Sequence, residues 1–197
     1  LAALAWGCVN FGVLLWLPGS LMAEGRSMGL ASTIIAKSTL FATPAVAVAA
    51  YLYSAWSTKW SLVSMIAITT TGLLAVLLRG AGTPAILSDP IVAIALLIVG
   101  STGVISIILP YTAENYPIRV RGRATGWVAG CSKLGGLIAQ GLSVLALVPA
   151  LSLAALAIAV PAGLSLLLIA ILGRETRNRD LRDLEASPAT LSPTADD

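Results

Sequence analysis

The 197-residue chain is 57% hydrophobic and only 11% charged, carries a formal net charge of +3, and contains two cysteines and no histidine. A soluble domain carries about 25% charged residues, so a chain this apolar needs lipid as its solvent. The lack of histidine removes the commonest general base and metal ligand, and we expect no catalytic residue, metal or cofactor. The few basic residues lie in links between apolar runs rather than on one face, which argues against nucleic acid as a partner.

Six apolar runs of the length that a helix needs to cross a bilayer follow one another along the chain. Each run is too long and too uniformly apolar for the alternating strands of a barrel, so the sequence predicts an all-α membrane protein. The predicted helices cover residues 1–22, 30–53, 61–78, 91–112, 124–148 and 151–172. They form one transmembrane bundle, residues 1–173, which we expect to divide into two inverted three-helix repeats.

The basic residues of the links orient this bundle. The second link, the fourth link and the tail (residues 174–197) hold the excess of Lys and Arg, so the positive-inside rule places them, with both chain ends, in the cytoplasm. We therefore predict a multi-pass protein of the plasma (cell inner) membrane. The chain begins at Leu1 with no basic segment before its first apolar run, so we expect a piece of a longer protein rather than a signal peptide. After residue 185 the tail is polar and is predicted to be disordered.

Two lysines lie well inside predicted helices, where a charge is costly and commonly functional. Lys37 lies about 7 residues into the second helix and Lys133 about 9 into the fifth, which corresponds to roughly 10 to 14 Å of depth. That depth is close to the midplane of a hydrocarbon core about 30 Å thick. We predict that both lysines line a substrate cavity and favour an anionic substrate. Two alternatives stay open: a lysine that reaches the headgroups without a role, and a structural ion pair.

Helical spacing places further residues beside Lys133. Spacings of 4, 3, 4 and 3 put five residues of the fifth helix on one face, which are Gly126, Gly130, Lys133, Leu137 and Gln140. Gln140 is predicted to line the cavity, and Gly126 and Gly130 form a pair that favours close helix packing.

In the second helix, Thr33 and Lys37 share a face with Pro44, and the proline predicts a kink. Thr33 is a candidate for the cavity. Asn10 of the first helix is a weaker candidate, since such residues more often bond between helices.

The segment between the fourth and fifth helices carries the pattern Glu-x-x-Pro-x-Arg-x-Arg-Gly, at Glu114, Pro117, Arg119, Arg121 and Gly122. It resembles the link between helices ten and eleven of major facilitator superfamily transporters. The similarity is strongest to the sugar porters and their relatives, the metabolite–proton symporters and the synaptic-vesicle-like organic ion transporters.

Two further patterns add to the resemblance. Gly130, Lys133, Gly135 and Gly136 are similar to a Gly-x-x-Arg-x-Gly-Gly pattern of the organic ion transporters, and we expect Gly136 to serve helix packing. Residues 174–179 are similar to the Pro-Glu-Thr-Lys-Gly-Arg tail of sugar porters. The resemblance implies the carboxyl-terminal half of such a carrier, helices seven to twelve, whose partner is a missing amino-terminal six-helix half.

The same basic pattern predicts a cytoplasmic latch. Glu114 and Arg121 lie near the cytoplasmic face, where a Glu–Arg pair can hold the two halves together while that side is closed. Arg119 and Glu175 are expected to belong to the latch. The alternative is that the arginines only set the topology and bind anionic lipid headgroups.

These expectations describe a secondary active transporter and not an enzyme. A small metabolite, in particular an organic anion or carboxylate, would bind between the two halves and cross by alternating access, and the resemblance implies coupling to a proton. A sugar or another neutral metabolite is the alternative substrate. Two other classes stay open: an intramembrane enzyme that pairs Ser38 or Ser132 with a lysine across helices, and a six-span regulatory module without transport.

Overall fold

The computed structural model describes residues 1–23, 25, 27–78 and 89–176. These residues form six helices and no strand: α1 (Ala2–Ala23), α2 (Met28–Trp56), α3 (Thr58–Leu77), α4 (Pro90–Asn115), α5 (Ile118–Val144) and α6 (Leu151–Leu172). The predicted all-α architecture is confirmed for this part of the chain. The third link and the predicted disorder after residue 185 lie outside the described residues.

Five of these six helices are long and apolar enough to cross a membrane. The exception is α5, which is 27 residues long but contains Lys133, Gln140 and three arginines, Arg119, Arg121 and Arg123, which precede the predicted start of this helix at residue 124. α5 begins at Ile118 rather than near residue 124, because Pro117 is extended and arginine is a good helix former. The three arginines therefore belong to the first turns of α5, and this helix is less apolar than the sequence analysis implied.

Local sequence explains several helix ends. Ser57 caps α3 by accepting from the Trp60 backbone N–H at 3.0 Å, and Asp89 caps α4 by accepting from that of Ile91 at 2.8 Å. α2 is interrupted at Thr43 and Pro44, where the proline lacks the N–H that a continuous helix needs. Two turns are π-helical, Val9–Val13 in α1 and Leu52–Trp56 at the end of α2.

The helices pack in a pattern with internal correspondence. α1 packs against α2, α4, α5 and α6. α4 also packs against α2, α3 and α5. In addition, α3 packs against α6. Exchanging α1 with α4, α2 with α5 and α3 with α6 converts each of these contacts into itself or into another member of the same set. The contact at the tight turn between α2 and α3 is the exception. α1 and α4 therefore lie in the centre of the bundle, with α5 beside α1 and α2 beside α4.

The packed core lies among α1, α3, α4 and α6. Its buried side chains include Val9, Val13, Leu73, Val76, Leu97 and Ala155. α3 and α4 approach closely because Gly72 leaves room, since a Cβ added there would stand 3.0 Å from Leu97. Van der Waals packing of this kind associates helices in lipid, where burial of apolar surface provides little driving force. The described residues leave one face of α5 and much of α2 uncovered.

Candidate functional site

The predicted stripe on α5 lies on one exposed face. All five of its members, Gly126, Gly130, Lys133, Leu137 and Gln140, are exposed. An adjoining face is buried at Ser132, Gly135, Gly136 and Ala139. α5 therefore has one face packed within the bundle and one glycine-rich, partly polar face that no described residue covers closely.

Glycines bring α1 and α5 together, but not the pair that the spacing favoured. A Cβ at Gly135 would overlap the carbonyl oxygen of Leu4, and one at Gly136 would stand 2.7 Å from the ring of Phe11. At Gly126 and Gly130, by contrast, no described atom lies within 4 Å of an added Cβ. Close packing at Gly126 and Gly130 therefore stays a prediction, one that needs a partner from outside the described residues.

Asn10 and Phe11 lie in the π-helical turn of α1, beside α5. The side-chain amide of Gln140 donates a hydrogen bond to the backbone carbonyl of Phe11. Such turns are rare and occur frequently at functional sites, because the extra residue frees backbone groups from the regular ladder. The turn thus places the aromatic ring of Phe11 next to α5.

Lys133 lies next to this aromatic ring. Its Nζ is 5.5 Å from the ring centroid of Phe11, which is within range of a cation–π contact. The Phe11 ring in turn meets Trp6 edge to face, with centroids 6.0 Å apart and planes at 86°. Within the described residues, no carboxylate pairs with Lys133. The arrangement is a cation beside an oriented aromatic ring, without a compensating acid from this part of the chain.

Lys37 and Thr33 lie on the exposed surface of α2. The Thr33 hydroxyl donates to the carbonyl of Gly29 at 2.8 Å, and among the described residues Lys37 has no hydrogen-bond or ion-pair partner. The structure does not bring the two predicted cavity lysines together, since α2 packs mainly against α4 and α5 mainly against α1.

Two cavities meet at α5. One, of about 570 Å³, lies along the exposed face and is lined by Gly126, Gly130 and Lys133 together with apolar side chains. The other, of about 630 Å³, lies at the end of the bundle that carries Tyr111, Asn115 and Arg174. Trp127 and Cys131 line both cavities and therefore stand between them.

A polar cluster joins the end of α4, the start of α3 and the chain that follows α6. Glu175 accepts from the Thr58 backbone N–H at 3.0 Å and from the Thr58 hydroxyl at 2.5 Å. The Thr176 hydroxyl donates to Glu114 at 2.6 Å and lies 2.7 Å from the Thr58 hydroxyl. Two of the predicted latch residues, Glu114 and Glu175, thus belong to one hydrogen-bonded cluster.

The structure does not pair Glu114 with Arg121. The Arg121 Nε donates instead to the Tyr116 backbone carbonyl at 3.4 Å, and Arg119 is exposed on the first turn of α5. Within the described residues, neither guanidinium meets a carboxylate. A direct Glu114–Arg121 latch therefore stays a prediction for another state of the protein.

The serines of the enzyme alternative are engaged elsewhere. The Ser38 hydroxyl donates to the carbonyl of Ile34 at 2.8 Å, and that of Ser132 donates to the carbonyl of Ala129 at 2.7 Å. Both serines are buried, whereas Lys37 and Lys133 are exposed. A serine–lysine nucleophile needs the two side chains within hydrogen-bond reach, and this arrangement does not provide that.

Sequence reasoning missed Phe11, Trp6, Thr58, Thr176 and Trp127. All except Trp127 act through contacts between helices or with the tail, such as the bond from Trp6 Nε1 to the carbonyl of Ser101 at 2.8 Å. No local pattern signals such a contact. Trp127 is exposed beside Gly126 and Gly130, which already marked the exposed stripe of α5.

Comparison with known proteins gives one informative similarity. No protein-family model matches the chain. The chain is 31% identical over 138 residues, which is 68% of its length, to the Bacillus subtilis (strain 168) protein named "Putative niacin/nicotinamide transporter NiaP". The match covers 33% of that relative, so the chain spans about a third of the relative's length. This chain of apolar helices is thus similar to part of a bacterial protein that is named for the transport of a small metabolite.

Proposed function

We propose that this chain is the carboxyl-terminal half of a secondary active transporter, of the major facilitator type, that carries a small organic carboxylate by alternating access. The observation that carries the proposal is Lys133, a cation on the exposed face of α5 without an acidic partner in the described residues. A charge within a spanning helix is costly and is retained where it faces a cavity or a pathway. The relative's name supports the same class, since niacin is a pyridine carboxylic acid and nicotinamide is its amide.

The packing supports two inverted three-helix repeats. The exchange of α1 with α4, α2 with α5 and α3 with α6 preserves the helix contacts described above. Lys37 on α2 and Lys133 on α5 then lie on corresponding helices of the two repeats. Inverted repeats of this kind hold their substrate near the midplane, where the repeats meet.

The uncovered faces of α2 and α5 support a second bundle. Thr33 and Lys37 are exposed on α2, and Lys133 and Gln140 are exposed on α5. We place the substrate between these faces and an amino-terminal six-helix half, and Asn10 contributes from the centre of the bundle. Membrane lipid covers the outer, apolar side of α6.

We assign the polar cluster around Glu114 and Glu175 to gating in the same carrier. Glu114 and Glu175 tie α3, α4 and the chain after α6 into one block. Arg119 and Arg121 remain available to pair with acids of the other half when the cytoplasmic side closes. The basic residues at this end support a cytoplasmic location for it, in a protein that we assign to the plasma membrane. Proton symport follows from the resemblance to the metabolite–proton symporters.

Uptake of radiolabelled nicotinate into proteoliposomes that contain the intact protein tests the proposal. Lys133→Gln keeps a polar side chain but removes the charge that binds the carboxylate, so we expect the apparent affinity to fall about ten- to a hundredfold. Lys59→Gln is the matched control, because Lys59 lies over the Trp60 ring at the start of α3, away from the cavity. Unchanged nicotinate uptake in Lys133→Gln would refute the anion site.

A neutral metabolite, such as a sugar or an amide, is the second candidate. Asn10, Thr33 and Gln140 offer uncharged hydrogen-bonding groups, and the name of the relative includes nicotinamide. If the substrate is neutral, the protein should take up nicotinamide. Lys133→Gln should leave this uptake intact, and excess nicotinate should not inhibit it. The same measurements therefore separate the two candidates.

A further inference from the structure

We infer that Phe11 is a specificity-determining residue, whose ring forms with the Lys133 ammonium a site for a planar aromatic carboxylate. The inference rests on the proposed function, because it names the class of carboxylate that Lys133 binds. Three features of the structure carry it: the ring is oriented, its position depends on a glycine, and a cation lies beside it.

The Phe11 ring is oriented by Trp6 of the same helix, which is itself anchored to α4. Trp6 meets it edge to face at 6.0 Å, and Trp6 Nε1 is anchored to the carbonyl of Ser101 on α4 at 2.8 Å. Edge-to-face pairs are a preferred arrangement of aromatic rings, since the positive edge of one meets the negative face of the other. The orientation of the ring therefore depends on both α1 and α4, as expected of a ring that contacts a ligand in a defined geometry.

The backbone of Phe11 and the space for its ring both depend on α5. The Gln140 amide donates to the Phe11 carbonyl within the π-helical turn. Gly136 lies under the ring, where a Cβ would stand 2.7 Å from its Cδ2 atom. A ring at this position thus requires a glycine on α5 and the extra residue of the π-helical turn on α1.

The cation completes the site. Lys133 Nζ lies 5.5 Å from the centroid of Phe11, so a ligand can reach the ammonium and the ring together. An aromatic carboxylate would pair its charge with Lys133 and stack its ring on Phe11, at the spacing of about 4.5 to 7 Å that ring pairs prefer. An aliphatic acid of equal charge makes the first contact only. The preference for the aromatic acid should therefore be about two- to tenfold in apparent affinity.

Competition between two acids that differ in the ring alone tests this inference. Benzoate and cyclohexanecarboxylate have the same charge and the same number of carbon atoms, but only benzoate is planar and aromatic. Each is titrated against radiolabelled nicotinate uptake by the intact protein in proteoliposomes. We expect benzoate to inhibit at a several-fold lower concentration, a ratio that falls to about one in Phe11→Leu and persists in Phe11→Tyr. The effect of Phe11→Leu should appear in the apparent KM for nicotinate and not in the maximal rate of its uptake.

Trp16→Phe is the control variant, since Trp16 is an aromatic residue of the same helix that bonds to Ser143, and its loss should leave the ratio unchanged. Equal inhibition of the unmodified protein by the two acids overturns the inference, and this result needs no variant to fold. If Phe11→Leu weakens inhibition by both acids to the same degree, the inference is also overturned, because the role of the ring would then be structural. Failure of the proposed function differs from both outcomes, since neither acid nor nicotinate would be bound.

Discussion

The carboxylate of Glu175 binds the first turn of α3 at Thr58. One oxygen accepts from the Thr58 backbone N–H at 3.0 Å and from its hydroxyl at 2.5 Å, and the other accepts from the hydroxyl of Ser57. A helix amino terminus carries unsatisfied N–H groups and a partial positive charge, so a carboxylate is favoured there. Because Thr176 also reaches Glu114, two consecutive tail residues connect α3 with α4.

Glu175→Gln is expected to weaken this connection. The amide keeps the shape of the side chain but loses the charge and one acceptor, so the free energy of unfolding should fall by about 1 to 2 kcal/mol. Thermal denaturation of the purified protein in detergent measures the change. Arg174→Gln is the control, because Arg174 makes its contact through the backbone and not through the side chain. Its backbone carbonyl accepts from the Tyr111 hydroxyl at 2.8 Å. Equal losses in the two variants would contradict the capping role.

The glycines of α5 should differ in their tolerance to a methyl group. Gly136→Ala introduces a Cβ 2.7 Å from the Phe11 ring and is expected to destabilise the bundle by about 1 to 3 kcal/mol. Gly130→Ala meets no described atom within 4 Å, and alanine favours a helix, so this variant should be at least as stable. Denaturation of both variants in detergent gives the comparison. A large loss in Gly130→Ala would instead indicate that a partner packs closely there in the intact protein.

Ala146 has a backbone conformation that suits glycine. It follows the end of α5 with a φ of 54°, and the bond from the Leu147 N–H to the Leu142 carbonyl at 2.9 Å closes a Schellman motif around it. Ala146→Gly should therefore raise the free energy of unfolding by about 1 kcal/mol. Ala129→Gly, inside α5, is the control and should lower the free energy of unfolding by about 1 kcal/mol. A gain in both variants would point to a cause other than the left-handed conformation.

The latch proposal predicts a change in access to Cys131, which lines the cavity at the end of the bundle that carries Arg174. If Arg121 pairs with an acid of the other half in the closed state, Arg121→Gln should favour the open state. Because such pairs contribute about 0.2 to 1 kcal/mol when partly exposed, we expect alkylation of Cys131 from the cytoplasmic side to be up to about fivefold faster. Mass spectrometry of the labelled protein distinguishes Cys131 from Cys8. A rate equal to that of the unmodified protein would favour the role of Arg121 in topology alone.

The basic segment shows where sequence reasoning is limited. The positions of Glu114 and Arg121 suggested a pair, but the structure joins Glu114 to Thr176 and places Arg121 at the start of a helix. Pattern and charge indicate which groups can pair, whereas the distance between them depends on where the helix begins. The chain after α6 brings a nearer partner to Glu114, and nothing in the pattern around Glu114 points to Thr176.

The sequence by itself determined the solvent, the helical architecture and the stripe on α5. Composition requires lipid, lipid requires that backbone groups bond within helices, and the helical repeat decides that Lys133 and Gln140 share a face. Only the tertiary structure decided that Gly135 and Gly136, rather than Gly126 and Gly130, meet α1, and that Lys133 lies beside Phe11. The physical reason is that periodicity follows from the geometry of one backbone. A contact such as that of Gln140 with Phe11, 129 residues apart, follows from how separate helices pack.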